Sequence, residues 1–299
     1  MSAIVNDNAS IAQDADLESP LRRVAYEAGM LLGLEATREE QSYHRRRLTR
    51  RQYWLDGAGT LAGMAVSIDP ASSDDPDSDV GVRVIVGPGL GIDGLGREVL
   101  VHEAYCVNLR DWLASQSQTA LNAGYDAAND RLWLKVSVRH KDCPVAQQPV
   151  LARKLNLGTD PVQPSRIADS VQLELTAELP PAAEPGYRPW AAHPPLPETP
   201  SGLTAAEQAT LAAAEAESAA AGRLMNLHAR LLHALDDGVS PRALADALEQ
   251  SASLLLARIS IQTADLNHIV VNPARISVNN LVRPFLVTPS QLAYLSRQP

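Results

Sequence analysis

From Leu132 to Val138 every second residue is apolar (Leu132, Leu134, Val136, Val138), while Lys135, Ser137 and Arg139 fall between and after them. A period of two predicts a strand with one buried face. VQLELTA (171–177) repeats the design. Val82, Val84 and Val86 predict another strand, Ala62, Met64, Val66 and Ile68 another, and REVLVHEAYCVNL (97–109) a further one. Half-buried alternating strands argue for an antiparallel sandwich or barrel rather than a buried parallel sheet.

Helical signals flank this block. Thr37-Arg-Glu-Glu40 reads as a capping box opening a helix that runs to about Leu55 and stops at Gly57 and Gly59. Thr204-Ala-Ala-Glu207 is a second box, predicting an alanine-rich helix to about Asp236, and Ser240-Pro241 predicts a third helix to about Ala257. Between strands and helices, residues 179–200 hold eight prolines, which permit neither helix nor ladder. ISIQ, HIVV, RISV and LVRPFLV return to short strands after residue 258. The expectation is an α+β chain: a flexible arm (1–20), a β domain with an N-terminal helix (21–178), a proline-rich arm (179–202), a helical pair (203–257) and a terminal β segment (258–299).

Composition narrows the class. With 299 residues, 45% hydrophobic and 20% charged, the chain can bury a sizeable core, filled mostly by aliphatic side chains because aromatics make up only 4%. A net charge of −9 repels phosphate backbones, so nucleic acid is not an expected partner. Two cysteines are too few for a disulfide framework, and no apolar run spans a membrane. Cytoplasmic folding without membrane insertion is the expectation.

GLGIDG (89–94) fits the dinucleotide-binding pattern, but that chemistry needs a helix directly after the glycines to hold the pyrophosphate. A strand pattern follows instead. The expectation is therefore a hairpin in which Gly87, Gly89, Gly91, Asp93, Gly94 and Gly96 form the turn, with Gly89, Gly91 and Gly94 supplying positive φ and no cofactor bound. The acidic loop 74–81 mismatches a calcium loop at its glycine and at position twelve. His140-Lys-Asp-Cys143 places three metal-binding side chains close together, but no second cluster completes a zinc set, so neither a metal nor a catalytic constellation is expected. The basic cluster 44–51 sets Arg46 and Arg50 on one helix face and Arg47 and Arg51 on the adjacent one. It reads as a solvated or subunit-docking face.

Several spaced motifs, taken in order, resemble a known family. These are the Tyr-x-x-Gly-Met-Leu-Leu start at residue 26, the Glu-Gln-x-Tyr-x-x-Arg helix at 40–46, VGPGLGIDGLGRE (86–98), Cys143-Pro-Val145 and SRIADSVQLEL (165–175). Together they look like structural accessory proteins of phage-tail-derived contractile injection systems, a resemblance covering residues 25–177. It implies a non-enzymatic structural or adaptor component, most naturally baseplate-associated, whose partners are other particle subunits. A distant architectural likeness to the type VI secretion baseplate connector implies a homotrimer with a helical neck, burying the stripe Leu224, Leu227, Leu231 and Leu235. A local hairpin packed on its own β domain explains the same stripe. Trp190 marks the proline-rich arm as a further docking element. The alternatives are a nucleotide-dependent or hydrolytic enzyme and a tail-fibre or cell-surface-binding module.

Overall fold

The computed structural model describes residues 11, 14, 20–73, 81–149, 162–182, 198–233 and 251–296. Trp190, Leu235, the acidic loop up to residue 80 and most of the proline-rich segment lie outside the described residues, as does the expected third helix up to residue 250. Among the described residues the chain is mixed α and β, and every ladder between strands is antiparallel. The strands form three sheets, and none of them closes into a barrel.

Helix α1 (Leu34–Leu55) begins four residues earlier than the Thr37 box predicts. Its N-cap is Gly33, with no side-chain cap. Thr37 lies inside the first turn, where its hydroxyl donates to the Gly33 carbonyl at 3.3 Å. The Glu40 carboxylate is occupied elsewhere: Oε2 accepts from the Val24 amide at 3.1 Å, tying the incoming chain along the helix, and Oε1 meets His44. Thr49 and Tyr53 supply the buried face.

The alternation from Ala62 to Ile68 is two strands, not one. β1 (Gly59–Gly63) and β2 (Val66–Ile68) are separated by a corner at which Gly63 (φ 68) and Met64 (φ 54) both turn left-handed. A second corner, at Gly87 and Pro88, divides β3 (Arg83–Val86) from β4 (Gly89–Ile92). A third divides β5 (Glu98–Val101) from β6 (Tyr105–Asn108), splitting the single strand expected over 97–109. Each of these three segments therefore serves two sheets, β1-β4-β5 on one side of the corners and β2-β3-β6 on the other. The first two corners touch: Met64 N–H donates to Pro88 O and Gly87 N–H to Ala65 O, both at 2.9 Å. A Cβ on Gly63 would stand 2.2 Å from Pro88 O, and one on Gly89 2.3 Å from Met64 N, so this contact excludes any side chain.

This geometry corrects the expected turn. Gly89 and Gly91 lie within β4, where they let β1 approach, and neither has positive φ. Gly87 sits at the corner before them. The reversal itself is Asp93–Gly96, and of the six residues expected to form it only Gly96 is left-handed (φ 78). A Cβ on Gly96 would meet Thr49 O at 2.2 Å, which seats the turn against α1.

Next come two short helices that the alternation hides, α2 (Leu109–Ser115) and α3 (Gln118–Asn122). The Asn108 and Ser117 side chains cap them. The third sheet runs β11 (Ile276–Asn279), β10 (Ser253–Gln262), β8 (Arg131–Pro149), β7 (Tyr125–Asp126), with β9 (Val162–Ala177) also paired to β8. β10 pairs β8 only from Arg131 to Arg139, whereas β9 follows it out to Pro149. The distal half of β8 and β9 is thus a two-stranded ribbon. Residues 253–257, expected to be helical, are the start of β10. Its Leu254, Leu256 and Ile259 are buried in one core cluster with Val66, Val84, Val99 and Val136, which joins all three sheets.

The alanine-rich segment breaks at Ser218 into α4 (Ala205–Glu217) and α5 (Ala219–Leu231). Asn226 Nδ2 donates to Glu215 Oε1 at 3.4 Å, and Gly202 lies against His233, so the two helices fold back as an antiparallel pair. At the C-terminal end, HIVV forms no strand. In LVRPFLV, Phe285 makes only an isolated parallel bridge to Thr60, and α6 (Pro289–Leu295) follows, opened by a Thr288–Gln291 capping box.

Candidate functional site

Three separate stretches converge on one open cleft of about 420 Å³. α1 contributes Arg45, the end of the β4–β5 hairpin contributes Arg97, and the β8–β9 ladder contributes His140, Asp142 and Asp169. The ladder places the last three by register. His140 and Asp142 are two apart on β8 and so share a face, and Asp169 on β9 is the direct cross-strand partner of Asp142. Cys143, the neighbour of Asp142, falls on the other face. Of the three side chains noted in His140-Lys-Asp-Cys143, only His140 and Asp142 come together, and Asp169 joins them, with the ligand atoms of all three within 4.8 Å of one another. The missing member could have been found only by knowing the β8–β9 register.

Both nitrogens of His140 face acceptors. Nδ1–H donates to the Glu98 carbonyl at 3.2 Å, and Nε2 meets Asp142 Oδ1 at 3.0 Å. A neutral imidazole has one N–H and cannot serve both. The hydrogen bond to Asp142 raises the His140 pKa against the opposing effects of burial and Arg97. The same bond, with Arg45 nearby, holds the Asp142 carboxyl below its ordinary range.

The two arginines have partners of their own. Arg45 Nη2 pairs with Asp14 Oδ2 at 2.6 Å, and its Nη1 is 3.5 Å from Asp142 Oδ2. Arg97 Nε donates to Asp93 Oδ2 at 2.7 Å, and both residues are buried. Asp93 Oδ1 also accepts from the amides of Leu95 and Arg97, each at 2.9 Å, which closes the turn on itself. Burial pushes the Asp93 carboxyl up, and Arg97 with the backbone donors pulls against it. Arg97 Nη2 is buried with no hydrogen-bond partner. Sequence patterning singled out neither Arg45 nor Arg97, because each acts through a contact distant along the chain or inside a turn.

The other expected site residues are spread over the surface. Arg46 and Arg50 are half-buried on α1, while Arg47 and Arg51 are exposed, with Arg47 Nη1 donating to Tyr43 Oη at 3.1 Å. Leu224 and Leu227 are exposed on α5, and Leu231 is half-buried. The sequence GLGIDG leads into β5 and no helix follows it, so it lacks the helix N-terminus that a dinucleotide pyrophosphate requires. No helix among the described residues is long and apolar enough to cross a membrane. No family model and no curated protein matches the chain.

Proposed function

We propose that the chain is a non-enzymatic structural or adaptor component of a phage-tail-like contractile injection particle, associated with its baseplate and assembled in the cytoplasm. The motif resemblance over residues 25–177 suggests the particle, and the surface suggests the adaptor role. The observation that carries the reading is a run of apolar side chains left in solvent ahead of α1 and at its first residue: Tyr26, Met30, Leu31, Leu32 and Leu34, with Leu31 98% exposed. Around the C-terminal bridge, Leu281 at 95% and Phe285 at 60% add a second apolar stretch. Apolar side chains contiguous along an exposed segment mark surfaces that another subunit covers. We read the β2-β3-β6 sheet and the β8-β9-β10 sheet, which share one core, as a sandwich-like support for these segments.

The test is purification of the intact particle followed by mass spectrometry and imaging. The chain is expected in stoichiometric amount at the baseplate; its absence from an otherwise complete particle overturns the proposal. Light scattering on the isolated chain examines the trimeric neck separately. A mass of three 32.1 kDa chains supports the neck, and a single chain's mass removes the neck while leaving the adaptor role.

A further inference from the structure

We propose that His140, Asp142 and Asp169 bind a divalent transition cation of the zinc or manganese class. The first argument is register. Asp142 and Asp169 are directly opposite on paired strands, an arrangement in which two carboxylates repel. Asp142 is also 8% exposed, so water does little to relieve that repulsion. The neighbouring positive charges are largely committed: Arg45 has its short contact with Asp14, and Arg97 has its own with Asp93. A dication at Nε2 would take the place of the proton that His140 directs at Asp142 and would face both carboxylates.

The second argument is the orientation of the ring. The Glu98 carbonyl takes the Nδ1–H of His140 and turns Nε2 toward the two carboxylates. Metal-binding histidines are typically oriented in this way, by an outer hydrogen bond to a carbonyl or carboxylate. The third is the donor set. One imidazole with two carboxylates suits zinc or manganese better than calcium or magnesium, which prefer oxygen alone. Donor atoms around one such ion stand roughly 3.4 Å apart at the usual bond lengths, and the exposed Asp169 side chain is free to close the remaining gap.

Three protein donors leave coordination positions open toward the cleft. Arg97 lines that cleft and is 4% exposed, with its Nη2 buried and without a hydrogen-bond partner. In a structural protein the ion would staple the base of the β8–β9 ribbon. The site does not depend on the particle reading, and either can fail alone.

The experiment is calorimetric titration of the chelator-stripped full chain with zinc chloride and, separately, manganese chloride. One ion per chain is expected for at least one metal. Asp169→Asn should weaken it by more than the 10–100-fold that loss of an outer-shell partner costs. If Asp169→Asn unfolds at a lower temperature than the parent in chelator, His140→Gln takes its place with the same expectation. Binding of neither metal at millimolar concentration, or undiminished binding in the folded variant, overturns the proposal.

Discussion

The β4–β5 hairpin and the α4–α5 helical pair are both short antiparallel units, yet they hold their shapes by opposite means. In the hairpin almost every determinant is tertiary. Gly89 and Gly96 leave room for backbone from other elements, Asp93 and Arg97 are buried together, and Leu95 is 3% exposed beside Ala252. In the helical pair the determinants are local. Thr204 and Ser218 cap the two helices, the break falls at Ser218, and Gly222 is the one buried residue across both. A turn that the rest of the fold encloses is specified by what surrounds it. A helix pair that lies open can keep its apolar side chains for something else.

The largest effect that would separate the two belongs to Asp93→Ala. It leaves the Arg97 guanidinium buried without its carboxylate and removes acceptors from two backbone amides. Removing one partner of a buried ion pair costs about 3–5 kcal/mol. Urea unfolding should show a loss of that size with the slope unchanged. A loss under about 1 kcal/mol would mean that the turn is held by backbone geometry alone, and the contrast with the helices would weaken.

Next in size are the two threonine boxes, which have the same sequence form and different fates. Thr204 accepts from the Glu207 amide while the Glu207 carboxylate accepts from the Thr204 amide at 2.8 Å, so Thr204→Ala should cost about 1 kcal/mol. Because the pair is exposed, the loss should appear first as faster amide exchange across α4, before any global change. Thr37→Ala removes no cap and should stay within about 0.5 kcal/mol of the parent. Equal effects at the two sites would contradict the helix start at Leu34.

These cases show why the fold was only partly legible in the sequence. The period of two located most of the strand-forming residues, because side-chain alternation follows directly from the pleat. It could not locate the corners, since Met64 keeps its place in the alternation while its backbone turns left-handed and passes the chain to another sheet. Nor did it separate helix from strand in 253–257, where Leu254 and Leu256 lie buried between β8 and the rest of the core. The threonine box at 37 is a local signal overridden from a distance, because Glu40 caps the Val24 amide instead of its own helix. The cleft was the least legible feature. His140 and Asp142 are near in sequence, but Asp169 joins them only through strand register, and Arg45 and Arg97 only through packing.

The smallest effect on chain stability, and the most telling for the helical pair, is expected of Leu224→Lys combined with Leu227→Lys. Leu224 is 70% exposed and Leu227 42%. Replacing exposed side chains away from caps and core changes stability by no more than about 0.5 kcal/mol per site. If α4 and α5 form a neck shared between subunits, however, the same lysines would lie in its apolar seam and drive the subunits apart by like-charge repulsion and lost burial. The decisive observation is therefore a pair of measurements on one variant. An unchanged unfolding midpoint in dilute monomer, together with loss of the higher-mass species in light scattering, would assign the stripe to another copy of the chain. A large drop in monomer stability would instead show that the stripe packs on its own β domain, and the helical pair would then resemble the β4–β5 hairpin in being held by tertiary contacts.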